Sequence, residues 1–356
     1  MPDWMGDGDV AFPFLGLYFH NMPSSITIFG FRIAFYGIII GIGVLLAFFI
    51  VSKLAAKEGI STDLIYDLGI FIVIFGILGA RLYYVIFSWD YYKDNLIRIL
   101  YFREGGLAIY GGVIAGFITL VLFCKKKKVS IFKIGDLVIP GLLIGQILGR
   151  YGNFFNREVF GTYSDGLLAM RLPINAVRYS DIDDAIKMHI LPGTNYIQVH
   201  PTFLYESIYN MGLLLAVMLF RKRKKYDGEV LLWYFGGYGI GRAVIEGIRT
   251  DRLLLGSTNI AVSQLLGIIL FTVSITIDIF VRISMVSKEK IRTLEASDTA
   301  LDGVSAAMPD NKDNDVEVSF NDSNETKSMD VGGRKNKRKV KDKMTVQNND
   351  SDNKKE

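Results

Sequence analysis

The stretch IFGFRIAFYGIIIGIGVLLAFFIV at residues 28–51 decides the fold class, since Arg32 is its only charged residue. A helix needs about 20 consecutive, mostly apolar residues to cross the hydrocarbon core of a bilayer. Six further runs of comparable character follow along the chain, at residues 64–88, 106–124, 135–155, 200–220, 229–248 and 259–285. The sequence therefore predicts an all-α integral membrane protein with seven transmembrane helices.

The charged residues are concentrated outside these runs. The 356-residue chain is 50% hydrophobic and 21% charged. Residues 288–356 are about 42% charged and poor in large apolar side chains, so they cannot offset the entropy of ordering. We expect a seven-helix domain at 28–287 followed by a charged, disordered cytoplasmic tail. The apolar body excludes an ordinary soluble enzyme, a secreted disulfide scaffold and a nucleic-acid-binding protein.

The distribution of lysine and arginine predicts the orientation. Dense basic clusters occur at residues 125–128 (KKKK) and 221–225 (RKRKK), whereas residues 1–27 contain no lysine or arginine. Basic clusters stay on the cytoplasmic side of a membrane. The sequence therefore predicts an extracytoplasmic N-terminal segment at 1–27 and a cytoplasmic C-terminus. The clusters are explained by topology alone, and contact with anionic lipid is the alternative explanation.

The longest ordered connection, at about 158–199, falls on the outside in this topology. It contains Pro173, Pro192 and Gly193 among mixed polar and apolar residues. Such a segment is too long for a simple turn, so we expect it to form a small extracytoplasmic cap.

Ionisable residues inside membrane spans are costly and usually functional. At about 1.5 Å of rise per residue, Arg150 lies about 22 Å and Arg242 about 20 Å from the inner ends of their helices. The same estimate places several more polar residues in the outer half, namely Tyr36, Arg81, Tyr110, Asn153, Glu158, His200, Glu206 and Glu246. The sequence therefore predicts a polar site facing the outer leaflet.

The spacing of these residues groups them on two helix faces. Residues Arg150, Asn153 and Arg157 share one face, and residues Tyr238, Arg242, Glu246 and Arg249 share another. Two arginines on different helices suit a phosphate-bearing ligand, because guanidinium binds phosphate through a planar fork. The alternative is that Arg150–Glu158 and Arg242–Glu246 are ion pairs that hold helices together. That alternative does not explain why both pairs lie at one depth.

The stretch GRYGNFFNREVFG at residues 149–161 resembles the signature of the bacterial prolipoprotein diacylglyceryl transferases. Other segments are similar to that family in the same order, namely GILGARLYYVIF at 76–87, EGGLAIYGGVIAG at 104–116, HPTFLYES at 200–207 and GYGIGRAVIEGIRTD at 237–251. The resemblance covers about residues 28–285, and the charged tail is not part of it.

The resemblance implies a plasma-membrane transferase that moves the diacylglyceryl group of phosphatidylglycerol onto the lipobox cysteine of prolipoprotein signal peptides. A thioether forms and glycerol phosphate leaves, the first step of bacterial lipoprotein maturation. No metal or organic cofactor is implied. The catalytic residues by resemblance are Arg150, Asn153, Glu158, Arg242 and Glu246. The residues expected to bind substrate are Arg150 with Tyr36, Tyr110, Tyr238, His200 and Gly161.

One position departs from part of the family. Proteobacterial members carry histidine in the motif GGxxxHGG, where GGLAIYGG at residues 105–112 places Tyr110. A phenol, with an ordinary pKa near 10, is a poor base at neutral pH. The identity of the general base therefore stays open among Glu158, Glu246 and His200. The form of the motif that carries tyrosine is similar to that of Gram-positive members. A transporter for an anionic solute and a non-catalytic receptor are the rival functions.

Overall fold

The computed structural model describes residues 4–102, 105–256, 258 and 260–306. The helices in this part of the chain are α1 (Phe35–Lys57), α2 (Thr62–Phe87), α3 (Trp89–Tyr92), α4 (Ile109–Lys127), α5 (Ile131–Asn156), α6 (Asp184–Met188), α7 (Thr202–Phe220), α8 (Glu229–Ile245) and α9 (Val262–Ala306). Six of the long helices, all except α8, are apolar and long enough to cross a membrane. Helix α8 has 17 residues and occupies the remaining predicted apolar run.

Helix α5 lies at the centre of the helical bundle. Half of its most apolar stretch is buried, a larger share than in any other of the six candidate spans. Leu143 is fully buried against α7 and α8, Leu137 packs against α1 and α2, and Ile134 packs against α2 and α4. Because α5 contacts most of the bundle, its side chains can reach residues on several helices.

The first apolar run does not form one helix from residue 28, as the sequence predicted. Residues Ser25–Ile28 (β3) and Phe31–Ala34 (β4) form an antiparallel hairpin, and α1 begins only at Phe35. Phe29 and Gly30 both have positive φ, at 49° and 79°, as a two-residue hairpin turn requires. Apolar composition alone cannot distinguish a strand from a helix, and Tyr36 consequently lies at the start of α1.

A four-stranded antiparallel sheet adds β structure that the all-α prediction lacked. Its order is β2-β1-β5-β6, formed by Leu17–Phe19, Val10–Phe12, Met170–Pro173 and Tyr196–Val199. Strands β5 and β6 belong to the segment predicted as a cap, and the N-terminal segment supplies the other two. Its core includes Phe160, Leu172 and Ile197, which are almost fully buried.

The C-terminal helix extends beyond the predicted domain boundary. The chain divides into two units, Met1–Thr293 and Leu294–Glu356. Residues 288–306, which we predicted to be disordered, continue helix α9 to Ala306. Adding residues to an existing helix is inexpensive, because the nucleation cost has already been met. The rest of the predicted tail, from residue 307, lies outside the described residues.

Candidate active site

The site lies where the C-terminal ends of α5 and α8 meet the N-terminal end of α7; we call this the site end of the bundle. Ser207 of α7 donates a hydrogen bond to the carbonyl of Ile147 in α5, at 3.1 Å. Tyr209 of α7 donates to the carbonyl of Gly237 in α8, at 2.5 Å. These two bonds set the rotation of α7 relative to its neighbours, and they turn Glu206 toward both helices.

Glu206 is the centre of the site, with its side chain 6% exposed. Its Oε2 atom lies 2.8 Å from Nη2 of Arg150 and 3.6 Å from Nη1 of Arg242. Its Oε1 atom lies 3.9 Å from Nη1 of Arg249 and accepts no hydrogen bond from the described residues. One buried carboxylate therefore gathers three guanidinium groups, one from α5 and two from the end of α8 and the residues just after it.

A second carboxylate orients two of these arginines. Oε2 of Glu246 lies 2.9 Å from Nη2 of Arg242 and 3.3 Å from Nη1 of Arg249. Arg249 also forms a two-point contact with Asp251, at 3.0 and 2.8 Å. The Arg242–Glu246 pair of the alternative interpretation is present, and it belongs to a larger network. Arg150 and Arg242 remain 20% exposed, whereas Arg249 is 9% exposed, so the first two are the accessible cations.

Arg150 and Glu158 do not form the direct ion pair that the alternative interpretation of the sequence assumed. Asn153 lies between them: its Oδ1 accepts from Arg150 at 3.3 Å, and its Nδ2 donates to Oε1 of Glu158 at 3.0 Å. Asn156 donates to the same Glu158 oxygen at 3.3 Å. The amide of Asn153 therefore connects the guanidinium to the carboxylate.

The backbone after α5 is strained where it carries Glu158. Arg157 and Val159 both have positive φ, at 54° and 61°. For a β-branched residue such as Val159 this conformation costs on the order of 1–3 kcal/mol. It persists because the Thr202 hydroxyl donates to the carbonyl of Val159 and because the Arg157 guanidinium donates to the carbonyls of Gly8 and Met22. The two residues with positive φ turn the chain back, so the Glu158 side chain reaches Asn153.

Arg157 consequently does not share a face with Arg150 and Asn153, as the helical spacing suggested. Helix α5 ends at Asn156, and Arg157 is buried against the N-terminal segment, with both carbonyl contacts at 2.6 Å. Its function in the structure is to hold residues 8–22 to the end of α5.

Two glycines permit close approach around the site. A Cβ atom on Gly152 would lie 2.5 Å from the ring of Tyr36, so glycine brings α1 and its tyrosine against α5. A Cβ atom on Gly161 would lie 2.8 Å from Cβ of His200 and 2.9 Å from the carbonyl of Ile248. Gly161 therefore allows the segment carrying Arg249 to pair with the chain after α5.

Three predicted ligand contacts lie outside the guanidinium network. His200 has its Nδ1 atom 3.1 Å from the Tyr205 hydroxyl, and burial lowers its pKa below the ordinary 6.5. Tyr238 stacks on Tyr234 in α8, with ring centroids 5.6 Å apart. Tyr110 is 55% exposed at the start of α4 and makes no hydrogen bond to any described residue.

Arg81 is a buried residue that stabilises the backbone around it. It is 3% exposed, and its guanidinium donates to the carbonyls of Arg98, Ile99, Tyr101, Gly105 and Gly106. These contacts organise the segment between α2 and α4.

Sequence reasoning did not assign a role to Glu206 or Arg249. Glu206 was recognised only as a polar residue at the start of an apolar run, and Arg249 only as a member of the face with Arg242. The available signal was a carboxylate within HPTFLYES, a segment that already resembled the family. Within the described residues, no group of three His, Cys, Asp or Glu side chains is arranged to hold a metal ion.

Comparison with known proteins identifies the family of this chain. Residues 23–280 match the family model described as prolipoprotein diacylglyceryl transferase. A phosphatidylglycerol–prolipoprotein diacylglyceryl transferase of Finegoldia magna is 41% identical over 256 residues, which cover 72% of this chain and 94% of the relative. The corresponding protein of Clostridioides difficile is 40% identical over 69% of this chain and 90% of its own length. The corresponding protein of Staphylococcus aureus strain Newman is 38% identical over 76% of this chain and 92% of its own length.

Proposed function

This chain belongs to the prolipoprotein diacylglyceryl transferase family, and we propose that the network around Glu206 is its active site. The protein is a transferase that moves the diacylglyceryl group of phosphatidylglycerol to a prolipoprotein. The observation that carries the site assignment is the meeting of Arg150, Arg242 and Arg249 at one buried carboxylate.

The reaction is an alkyl transfer at carbon. The thiolate of the lipobox cysteine attacks the diacylglyceryl carbon that is bonded to the phosphate oxygen. The new C–S bond replaces the C–O bond, and glycerol phosphate leaves with the electron pair. The thiol proton passes to a base, because the thiolate is the nucleophile.

The arginines perform the main electrostatic task. The donor phosphate is a monoanionic diester, and it becomes a monoester with additional negative charge as the C–O bond breaks. Donors that face this phosphate therefore bind the transition state more strongly than the ground state. Arg150 and Arg242 are accessible, and they retain further N–H groups beyond those that contact Glu206 and Glu246. The two carboxylates hold the guanidinium planes in position before the lipid binds.

Glu158 is the base that the contacts favour. Each carboxylate inside the guanidinium network, that of Glu206 and that of Glu246, has an oxygen paired with arginine, and the second oxygen of Glu206 is buried. Oε1 of Glu158 accepts from two amides, while its Oε2 accepts no hydrogen bond from the described residues. A free carboxylate oxygen beside the phosphate site can accept the thiol proton directly or through one water.

The site faces the outer leaflet in this proposal. The basic clusters at residues 125–128 and 221–225 lie at the opposite end of the bundle from Arg150 and Arg242. The positive-inside rule then places the N-terminus outside and the C-terminus inside, with α8 as the seventh span. The sheet-containing segment 158–199 forms the extracytoplasmic cap, and the donor headgroup and the translocated lipobox cysteine meet beside it.

Transfer of a labelled diacylglyceryl group to a lipobox peptide tests the assignment. The full chain in phospholipid vesicles should label the cysteine peptide and leave a peptide with serine in that position unlabelled. Variants Arg150→Gln and Arg242→Gln should each lose most of the transfer, and the surface variant Arg178→Gln should retain it. A transporter or a receptor would label neither peptide.

A further inference from the structure

Helices α2 and α4 pack closely against each other at the site end of the bundle. At the close end, a Cβ atom on Gly111 would lie 2.3 Å from the carbonyl of Gly79, so only glycine permits this contact. Toward the C-terminal end of α4, the residues that face α2 are larger and include Leu122 and Phe123. A groove of about 670 Å³ lies along these side chains.

The groove is apolar along its length and open to its surroundings. Its lining includes Phe71, Phe75, Ile118, Thr119, Leu122 and Phe123. Phe71, Phe75 and Ile118 are between 43% and 49% exposed, so a molecule in the hydrocarbon region can enter from the side. The volume lies within the range of about 300–1,000 Å³ that is typical of small-molecule sites.

One end of the groove is positively charged. Lys126 and Lys127 line it, and Lys125 and Lys128 are adjacent in the chain. Nζ of Lys127 lies 3.2 Å from Asp67 and 5.6 Å from the centre of the Phe123 ring, so its ammonium group is held at the mouth. Lys126 forms no ion pair within the described residues. The groove therefore has an apolar channel and an incompletely neutralised cationic end.

We infer that this groove binds an anionic phospholipid. One acyl chain lies between Phe75, Ile118 and Leu122, and the phosphate lies at Lys126 and Lys127. A lipid fits better than a peptide because the groove is apolar along the helices and charged only at the level where headgroups lie. The assignment to the cytoplasmic leaflet rests on the orientation given under Proposed function.

This lipid site is distinct from the donor site. Lys127 is followed closely by the start of α5 at Ile131, whereas Arg150 lies about 28 Å along that helix. A phospholipid whose headgroup is held by Lys126 therefore cannot place its phosphate at Arg150.

Lipid binding to the full chain tests the inference. The protein in detergent is titrated with phosphatidic acid and with phosphatidylcholine, and bound lipid is counted by native mass spectrometry. The double variant Lys126→Gln/Lys127→Gln should bind phosphatidic acid about 30-fold more weakly, since each lysine near a headgroup contributes about fivefold. Thr119→Trp should also weaken binding, because it fills the groove without changing charge. The control Lys222→Gln/Arg223→Gln removes two charges elsewhere at the same end and should bind like the unmodified protein.

Each other outcome overturns the lipid site. Equal binding by the lysine variant and the control would show that the groove holds no headgroup. If phosphatidylcholine binds as tightly as phosphatidic acid, the positive charge of the lysines does not contribute to binding. If a second copy of the chain covers the groove, the groove is a dimer interface. Diacylglyceryl transfer measured on the same preparations distinguishes failure of the lipid site from failure of the proposed active site. The lysine variant should keep its transfer rate within about twofold, because Lys126 and Lys127 lie about 28 Å from the level of Arg150 along the helix axis.

Discussion

Nη2 of Arg150 in α5 lies 2.8 Å from Oε2 of Glu206 in α7, and the same oxygen lies 3.6 Å from Nη1 of Arg242 in α8. A carboxylate between two arginines compensates their repulsion and keeps both guanidinium planes directed to one place. An arriving phosphate then meets donors that are already oriented, so little reorganisation accompanies the reaction.

Arg150→Lys should lower the transfer rate by on the order of 10²-fold or more, as removal of a preorganised donor does. Lysine keeps the charge, but it cannot contact Glu206, Asn153 and a phosphate at once through a planar fork. The measurement is labelled-lipid transfer at matched membrane levels, with the exposed Arg178→Lys as the control. Normal turnover in the Arg150 variant would contradict a forked phosphate contact.

Glu206→Gln should reduce kcat strongly while the protein still inserts. The amide keeps the shape, but the three guanidinium groups lose their shared negative charge, and Arg150 is no longer held to the two arginines that Glu246 bridges. Breaking a buried ion pair by removing one partner costs about 3–5 kcal/mol, so the thermal midpoint should also fall. The exposed Glu289→Gln is the matched control. A variant with full activity would show that Glu206 does not position the arginines.

Tyr110→Phe should reduce turnover only modestly, by about 0.5–1.5 kcal/mol for one lost hydrogen bond to substrate. The structure leaves this hydroxyl without a partner among the described residues, and the residue is half exposed. An obligatory proton carrier would instead cost on the order of 10²–10⁴-fold. Both Tyr110→Phe and Tyr110→His are assayed from pH 6 to 9.

The two Tyr110 variants test different claims. An inactive phenylalanine variant would exclude the orienting role. The histidine variant restores the residue of the proteobacterial motif, so it should retain activity. If it is inactive, the two positions are not equivalent.

His200 should make the protein less stable in mild acid. Burial lowers its pKa, although the charge of Asp165 acts in the opposite direction. The folded state thus binds fewer protons than the unfolded state, and stability rises with pH across that interval. The contribution is present above pH 6.5 and is lost as the pH falls through the folded-state pKa. As the pH is lowered from 8 to 5, the thermal midpoint should fall less steeply for His200→Gln than for the unmodified protein.

Deleting residues 294–356 should leave transfer nearly unchanged. The remaining unit, Met1–Thr293, contains the whole guanidinium network. In the proposed orientation, the removed segment is separated from the site by about 30 Å of hydrocarbon. Specific activity is normalised to inserted protein. A large loss of specific activity would show that the tail or the end of α9 participates in transfer.

Several site residues could be predicted from the sequence because helical rise and period are local properties. Counting residues along α5 and α8 placed Arg150, Asn153, Arg242 and Glu246 near one end of the bundle, and they are near one end. The periodicity also placed Arg242 and Glu246 on one face, where they pair at 2.9 Å. The same counting failed for Arg157, because it assumed that α5 continued beyond Asn156.

The amino-acid sequence by itself determined the membrane class, the apolar helices and the family, since these depend on composition, run length and contiguous motifs. Tertiary structure alone decided that Glu206 joins the arginines, that Asn153 separates Arg150 from Glu158, and that residues 8–22 are held by Arg157. These contacts depend on the relative rotation of packed helices and on strands of three or four residues that pair across the chain. The helix rotations and the pairing of β1 with β5 have no local signal, because both are stabilised by residues that are distant in sequence.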